Sequence, residues 1–428
     1  MHQQLTLEPR SSNVIWFSVE PVPTWRDDDP IAARRQTHTA SSSERGVRMT
    51  NQQRSISALL LLFTCSCARG QNSTDWQLGT WTRLSNDPVI RPGDATFLDP
   101  LTGHQVSWEK LHTFNPAAIV RNGRVCVLYR AEDDTGKMGL GNHTSRIGLA
   151  ESDDGIHFNR LPEPVFYPAP DQQRSREEEG GTEDPRVVQT EDGLYVMTYT
   201  QWSRLRNTYT TGVATSRDLR SWVKYGPIFA DASNGRYEHL AYKSAGIVTQ
   251  LKGDRIVAAK VHGRYWMYWG EIQIRLATST DLIHWFPVED KQGNPIVLIS
   301  ARAGKFDSAF PEMGPPPLIT RRGILAIYNA RNADKYKMGP GNTPGDPNLT
   351  PGTYTVGEAL FDAKHPERLL SRTDQPVLGP TLPWESNGQY KPGTTFAEGL
   401  VWFKGKWLLY YGASDSFVGV AATTRAPF

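Results

Sequence analysis

Residues 180–186, which read Gly-Gly-Thr-Glu-Asp-Pro-Arg, hold two adjacent carboxylates between a pair of glycines and a proline. Glycine tolerates backbone conformations that other residues avoid, and Pro185 stiffens the chain as it leaves the carboxylates. Such a segment can fix one carboxylate in a cavity, where burial or a neighbouring negative charge raises its pKa. A carboxylic acid of this kind can donate a proton to a leaving group near neutral pH.

Two more acidic residues, Glu271 and Glu312, lie at predicted strand ends elsewhere in the chain. Glu271 ends the run Tyr268-Trp-Gly-Glu, and Glu312 begins the run Glu-Met-Gly-Pro-Pro. Cleavage of a glycosidic bond needs a proton donor and a second group that activates the attacker. A water held between the two glutamates could be deprotonated, so these positions favour acid–base chemistry on a glycoside.

An internal repeat indicates which elements position these residues. Five segments consist of a glycine and an apolar or aromatic run ending near tyrosine, which is typical of a turn and a buried strand; they begin at Gly123, Gly193, Gly263, Gly323 and Gly405. A strand with an Asp-centred turn follows in the first three units, and four units then contain a short strand led by proline. Five units of about four strands predict an all-β fold, a five-bladed β-propeller.

The last unit reaches Phe428 without its proline-led strand. Residues 81–92, in which Pro88 is followed by Val-Ile, have the pattern of that missing strand. We therefore predict that this N-terminal strand completes the fifth blade and closes the ring, which would remove an exposed sheet edge. A β-sandwich also accounts for many short strands, but it does not account for five matched units.

The first residues of the innermost strands are polar in all five units, although such strands are expected to be apolar. The alternative for any one of them is a turn residue facing solvent. Together they predict a shared axial cavity lined by polar groups, which are Asn115, Glu183 with Asp184, Lys243, Glu312 and Glu398.

Composition and charge exclude several kinds of partner. The chain has 428 residues and a formal net charge of +2, which gives no indication of nucleic acid or of an anionic membrane as a partner. Its three cysteines, Cys65, Cys67 and Cys126, form neither a disulfide framework nor a metal-ligand pattern. We expect neither a metal nor an organic cofactor.

The N-terminus has the features of processing segments. Residues 1–48 are polar and basic without periodicity, and they predict a disordered leader or a misplaced start codon. Residues 49–70 contain a second methionine, an arginine, a short apolar run and small residues, which is typical of a signal peptide. We therefore expect a secreted or periplasmic protein whose catalytic domain spans residues 71–428. A lipoprotein cysteine at Cys65 or Cys67 is the alternative, and no other stretch predicts a membrane span.

Five motifs occur together between residue 81 and the C-terminus: Phe114-Asn-Pro-Ala, Leu128-Tyr-Arg-Ala, Gly181-Thr-Glu-Asp-Pro-Arg-Val, Gly314-Pro-Pro-Pro and Tyr411-Gly-Ala-Ser-Asp. In this combination the chain resembles glycoside hydrolase family 130, whose members process β-mannosides. The resemblance implies a five-bladed propeller and an inverting mechanism with Asp184 as the proton donor. It also implies that four residues hold the sugar in the cleavage subsite, namely Asn115, Arg130, Lys243 and Asp415.

The same resemblance leaves two reactions open, because the family contains hydrolases and phosphorylases. Phosphorylases commonly carry a histidine near the position of Trp269, and the segment Trp-Gly-Glu271 together with Glu312 resembles the β-1,2-mannosidase members more closely. We therefore expect Glu271 and Glu312 to activate water. His239 and His262 keep the phosphorylase alternative open, with inorganic phosphate as its co-substrate.

Three further questions stay open at this point. A non-catalytic propeller that only binds glycans is a second alternative, against which the Asp184 motif and the glutamate pair argue. The expected partner is a β-mannoside oligosaccharide, and the sequence indicates neither the oligomeric state nor the aglycone. The segment 332–353, rich in Gly, Pro and Asn, is either a loop over the site or a contact with another subunit.

Overall fold

The described part of the chain is almost entirely β-structure. The computed structural model describes residues 75–136, 141–238, 240–334 and 344–425. They contain one single-turn α-helix and two short 3₁₀ helices, and none of their helices is long and apolar enough to cross a membrane. The predicted leader 1–48 and signal peptide 49–70 lie outside the described residues. The prediction of a mostly β fold is confirmed.

The strands range in length from two to eleven residues. The first eleven are β1 (Thr82–Arg83), β2 (Phe97–Leu98), β3 (Gln105–Val106), β4 (His112–Arg121), β5 (Arg124–Glu132), β6 (Ser145–Ser152), β7 (Asn159–Arg160), β8 (Glu179–Gln189), β9 (Tyr195–Ser203), β10 (Thr208–Ser216) and β11 (Val223–Pro227). Helix α1 (Arg174–Glu177) precedes β8, and a 3₁₀ turn (Ala232–Gly235) follows β11.

The second half of the chain repeats this layout with shorter pieces. Its strands are β12 (Ala245–Ile247), β13 (Thr249–Lys252), β14 (Arg255–Ala258), β15 (Lys260–Val261), β16 (Arg264–Trp269), β17 (Ile274–Ser279), β18 (Trp285–Pro287), β19 (Val297–Ile299), β20 (Phe310–Met313), β21 (Leu318–Thr320), β22 (Gly323–Arg331), β23 (Tyr354–Phe361), β24 (Leu369–Arg372), β25 (Phe396–Phe403), β26 (Lys406–Ala413) and β27 (Phe417–Thr423). A second 3₁₀ turn (Pro383–Ser386) precedes β25.

Antiparallel pairing gathers most of these strands into five groups that match the five sequence units, while β2 pairs with β3 and β13 with β14 outside them. The first group is β4–β7, the second is β8–β11, the third is β12 with β15–β19, the fourth is β20–β24 and the fifth is β25–β27 with β1. Short parallel bridges join neighbouring groups, as between Ser145 and Gly181. No sheet closes on itself among the described residues, so the five-bladed ring stays a prediction.

The N-terminal segment pairs with the last strand of the chain, as the sequence predicted for residues 81–92. Thr82 lies opposite Ala422, and Ile90 forms a bridge with Val418. Arg83 Nε donates a hydrogen bond of 2.7 Å to Glu385, which ties β1 to the fifth group. The apolar side chains around this junction are buried, so the segment is part of the core of the last group.

Four of the five groups share one buried pairing. In each, a tyrosine on the second strand lies directly opposite a glycine, and a Cβ on that glycine would lie only 2.3–2.7 Å from the tyrosine ring. The tyrosine hydroxyl donates to a buried carboxylate at 2.8–2.9 Å. The four sets are Tyr129 with Gly148 and Glu109, Tyr199 with Gly212 and Glu177, Tyr328 with Gly357 and Asp307, and Tyr411 with Gly419 and Glu385.

The third group departs from this arrangement at the equivalent register. Trp269 stands where the other groups have tyrosine, and Arg275 stands where they have glycine. The Arg275 guanidinium lies over the Trp269 ring, 5.5 Å from its centre. Among the described residues, the third group is therefore the only one without the shared pairing, and its strand β16 leads directly to Glu271.

A carboxyl group buried in the fourth strand group makes stability depend on pH. Glu358 on β23 is inaccessible to solvent, and its Oε2 accepts a hydrogen bond of 3.3 Å from the Leu78 N–H. Burial raises the pKa of Glu358 to about 7. The folded state therefore favours the protonated form, and the associated stability is present below the unfolded pKa and lost as pH rises through about 7.

We expect Glu358→Gln to be more stable than the parent above pH 7, by up to about 3 kcal/mol, because glutamine carries no ionisation penalty. The difference should vanish below the ordinary pKa of glutamate. Urea unfolding measured across this pH range checks the prediction, with the exposed Glu163→Gln as the control. An identical pH slope in the parent and in Glu358→Gln contradicts it.

Candidate active site

Three adjacent strands carry β-bulges at the residues expected to line the cavity. β4 is bulged at Asn115, β8 at Asp184 and β25 at Glu398. Asn115 and Asp184 have φ of 45° and 49°, in the left-handed region, and each is followed by a proline. A bulge interrupts the alternation of side chains and redirects one residue, so the local sequence Asn-Pro or Asp-Pro aims a polar group out of an otherwise apolar strand.

Asp184 lies buried at the centre of the cluster and its carboxylate has partners from three other strands or loops. Asn115 Nδ2 donates to Oδ1 at 2.8 Å, and Arg130 Nη1 donates to the same oxygen at 3.2 Å. Lys243 Nζ lies 3.9 Å from Oδ2. Gly181, with φ 113°, lets β8 approach β6 closely, because a Cβ there would lie 2.2 Å from the Ser145 carbonyl oxygen.

Lys243 joins Asp184 to the two glutamates. Its ammonium lies 3.6 Å from Glu271 Oε2 and 3.4 Å from Glu312 Oε1. Glu271 and Glu312 themselves face each other across an antiparallel bridge. Tyr209 OH donates a hydrogen bond to Glu271, and Ser244 Oγ donates one to Glu312. These hydrogen bonds orient each carboxylate so that one of its oxygens contacts Lys243. The structure thus brings together the three acidic residues that the sequence predicted to meet.

Arg130 is shared among several acceptors on the opposite side of Asp184. Its Nη2 lies 2.7 Å from Glu132 Oε1 and 2.8 Å from Glu183 Oε1, and its Nε donates to Ser145 Oγ at 3.0 Å. The guanidinium also stacks over the Phe114 ring at 4.5 Å. A planar donor group with so many partners is fixed in position. Such a group is better suited to orienting a bound sugar than to attracting a charged ligand from a distance.

Asp415 and the two histidines occupy different environments. Asp415 lies half-buried in the turn between β26 and β27, with φ of 50°, and burial raises its pKa to about 7 despite the opposing effect of Arg130. His262 is exposed in a turn and its Nε2 contacts the Lys364 carbonyl at 2.8 Å, away from this network. His239 lies outside the described residues.

The pKa of Asp184 differs from the sequence-based expectation for a proton donor. Burial raises the pKa of Asp184, but Arg130, Lys243 and Arg186 outweigh burial and hold the pKa below its usual value. Burial dominates instead at its neighbours Glu183, Glu312 and Glu398, whose pKa values are raised. A lowered pKa favours the ionised carboxylate, whereas a general acid must carry a proton when the bond breaks.

Several members of this network were missed by sequence reasoning. Glu132 lies two residues after Arg130 on the same face of β5, which is a signal that strand periodicity could have given. Arg186 follows the Asp-Pro motif and donates to the Asp184 carbonyl at 2.9 Å, but only the fold reveals that it also reaches the Met313 carbonyl at 2.8 Å. Tyr209 carried no sequence signal, since it is one aromatic among many.

The network carries more acidic than basic groups. Its three cations are Arg130, Arg186 and Lys243, and its seven carboxyl groups are Glu132, Glu183, Asp184, Glu271, Glu312, Glu398 and Asp415. Even with the four carboxyls of raised pKa counted as neutral, the three that remain match the three cations in charge. An anion gains little from such a site. No set of side chains arranged to hold a metal ion occurs within the described ranges.

Replacing Lys243 by methionine is expected to move the acidic limb of the pH–rate profile upward. Lys243 lowers the pKa of both Asp184 and Glu312, and an opposite charge at this distance typically shifts a carboxyl pKa by about 1–3 units. Without the ammonium, a glutamate that must be ionised loses its proton only at higher pH. The profile of kcat/KM measures this shift, and Lys243→Arg, which keeps the charge, is the control. An unmoved acidic limb contradicts the assignment.

Comparison with known proteins agrees with this geometry. The sequence model of a family described as β-1,4-mannooligosaccharide phosphorylase, glycoside hydrolase family 130, matches residues 86–426. The chain belongs to glycoside hydrolase family 130. A 1,2-β-oligomannan phosphorylase from Thermoanaerobacter sp. (strain X514) is 31% identical over 79% of this chain and 95% of its own length.

Solved structures of similar sequence superpose well on the chain. A putative glycoside hydrolase from Parabacteroides distasonis is 47% identical, with a TM-score of 0.79 over 83% of this chain and 99% of its own. Another structure is described with the words "The GH130 family of mannoside phosphorylases contains glycoside hydrolases that target beta-1,2 mannosidic linkages in Candida mannan". It is 45% identical, with a TM-score of 0.78 over 83% of this chain and 96% of its own.

Proposed function

We propose that this family 130 protein is an inverting glycoside hydrolase that cleaves β-mannosidic linkages, of the β-1,2 class, with water as the nucleophile. The observation that carries the proposal is the contact of one ammonium, Lys243 Nζ, with Asp184 on one side and with Glu271 and Glu312 on the other. The acid and the two glutamates therefore meet at one ammonium although they come from three strand groups.

The proposed mechanism assigns one role to Asp184, on one side of Lys243, and another to the two glutamates on its other side. Asp184 protonates the glycosidic oxygen, while Glu271 and Glu312 take a proton from water that attacks the anomeric carbon from the opposite face. Because oxygens of Asp184 and of the glutamates contact the same nitrogen, they lie no more than about 8 Å apart. That limit is compatible with the separation of about 6.5–9.5 Å that leaves room for water in inverting enzymes.

The sugar in the cleavage subsite is held by the remaining polar groups. We assign this role to Asn115, Arg130, Lys243 and Asp415, which surround Asp184 or interact with it electrostatically. Rigid donors such as the Arg130 guanidinium suit the fixed geometry of sugar hydroxyls. No cofactor takes part in this mechanism.

Charge supports water rather than phosphate as the nucleophile. Arg130 already contacts Glu132, Glu183 and Asp184, so its positive charge is compensated by carboxylates of the chain itself. Phosphate would have to approach Glu271 and Glu312 with Lys243 as the nearest cation, and like charges at contact distance repel. The relatives at 45–47% identity are described as a hydrolase or in connection with hydrolases.

A β-mannoside phosphorylase is the second candidate function. The description of the matching family and the names of the curated relatives favour it, since both refer to phosphorolysis. In that reaction, inorganic phosphate takes the place of water and Lys243 contributes to its binding. A propeller that only binds glycans is the third candidate, which the buried acid network disfavours because binding alone does not require it.

The fold and the location complete the proposal. We infer that the five antiparallel groups are the blades of one propeller, supported by the tyrosine–glycine pairing that four of them share and by the pairing of β1 with β27. We further infer from residues 49–70 that the protein is exported, so that its glycan substrate is met outside the cytoplasm.

Product analysis with β-1,2-mannobiose, in the presence and in the absence of inorganic phosphate, tests the proposed function. We expect mannose to be released at the same rate in both conditions. Activity that requires phosphate would establish the second candidate instead. Glycan binding without turnover in either condition would establish the third.

A further inference from the structure

The third strand group carries a cleft beside Glu271. A cavity of about 320 Å³ lies beside Glu271, and its lining includes Trp269 and Arg275, which stand in place of the shared tyrosine and glycine. Its walls include Tyr209, whose hydroxyl donates to Glu271, so the cavity adjoins the acid network directly. Its volume lies within the range of about 300–1,000 Å³ that small-molecule sites occupy. A repeat that is broken only next to the reacting groups indicates a site rather than a packing defect.

The wall of the cleft contains a donor that the folded chain leaves unused. Trp269 is 5% exposed and its indole N–H has no hydrogen-bond partner within the part of the chain that the structure describes. A buried donor without a partner is unfavourable, so a ligand that accepts this hydrogen bond gains affinity. Arg275 lies over the same indole and keeps a guanidinium at the cleft.

Ile272 supplies an apolar surface at the mouth of the cleft. It follows Glu271 directly, is 50% exposed and has φ of 67°. A β-branched residue rarely adopts this left-handed conformation, and strain of this kind concentrates at functional sites. The exposed side chain of Ile272 contributes little to the core. Ile272 therefore combines a strained backbone with an exposed apolar side chain, directly after a proposed catalytic glutamate.

We propose that this cleft, defined by Tyr209, Trp269, Ile272 and Arg275, is a subsite for an additional hexose unit of the oligosaccharide cleaved at Asp184. The proposal rests on the proposed function. A pyranose ring has an apolar C–H face, which packs on Ile272, and hydroxyl groups, which accept hydrogen bonds from the Trp269 N–H and the Arg275 guanidinium. The subsite gives the protein a preference for longer glycans over disaccharides.

Glycan affinity measured by calorimetry in an Asp184→Asn background, in which ligands stay intact, tests the subsite. The probes are β-1,2-mannobiose and β-1,2-mannotriose. We expect mannotriose to bind about tenfold more tightly, which corresponds to about 1.4 kcal/mol. Ile272→Asn, whose new side chain tolerates the left-handed backbone, should remove most of that ratio, and Trp269→Phe, which lacks the indole donor, should reduce it.

Two matched variants control for packing and exposure. Leu370→Asn changes an apolar residue that is 44% exposed on β24, and Trp407→Phe changes a buried tryptophan whose N–H also lacks a partner among the described residues. Both should keep the parent ratio. A ratio that is the same in the parent and in both cleft variants overturns the subsite while leaving the proposed function intact. Failure of both glycans to bind overturns the subsite and the proposed function together.

Discussion

Asp184→Asn is expected to lower kcat on β-1,2-mannobiose by about 10²–10⁴-fold, which is the usual contribution of a positioned general acid. The amide keeps the size of the side chain and can still contact Asn115 and Arg130, but it has no acidic proton to give to the glycosidic oxygen. Initial rates and the thermal midpoint should be measured together, because the fold should survive the change.

The leaving group provides a specific control for Asp184→Asn. An aryl β-mannoside with an acidic phenol needs little protonation when its bond breaks, so the variant should lose far less activity on it. A merely structural role for Asp184 predicts equal losses on both substrates. Full activity of the variant on an unactivated mannoside is the result that removes Asp184 as the acid.

Glu312→Gln is expected to have a comparably large effect, again about 10²–10⁴-fold on kcat. Glu312 accepts a hydrogen bond from Ser244 and contacts Lys243, so the amide can occupy the same place without being able to take a proton from water. Glu271→Gln should also lose activity, because Glu271 faces Glu312 across the proposed water position.

Azide distinguishes a base from a structural glutamate in these variants. It attacks without deprotonation, so it should restore turnover of an activated aryl mannoside by Glu312→Gln and yield the α-mannosyl azide. Azide should not restore hydrolysis of mannobiose by Asp184→Asn, which lacks the acid. An absence of rescue together with wild-type activity of Glu312→Gln contradicts the assignment of water activation.

The acid network could be foreseen because its members occupy equivalent places in a sequence repeat. Asn115, Asp184 and Glu312 lie inside β4, β8 and β20, and Lys243 lies just before β12. Each precedes a buried run of the chain, and the fold brings the four to neighbouring positions. Their polarity conflicts with the apolar runs that follow, and such a conflict marks a functional position. The same spacing predicted the pairing of residues 81–92 with the last strand.

Other features depend on contacts between distant residues. Arg130 lowers the pKa of Asp184 only because β5 and β8 lie next to each other, and no local pattern reports that distance. Arg275 can be recognised as the replacement of the shared glycine only once the strand register places it opposite Trp269. Sequence reasoning therefore identified the acids but misjudged the ionisation of Asp184, because net charge in a buried network is a sum over partners from several strands.

Hydrolysis of β-1,2-mannobiose in ¹⁸O-enriched water, with inorganic phosphate present, tests most directly whether the glutamate pair activates water. The products should be analysed at early times by mass spectrometry and NMR. We predict mannose labelled at its anomeric oxygen and released first as the α-anomer, with no sugar phosphate. Formation of unlabelled α-mannose 1-phosphate in place of labelled mannose would contradict the account.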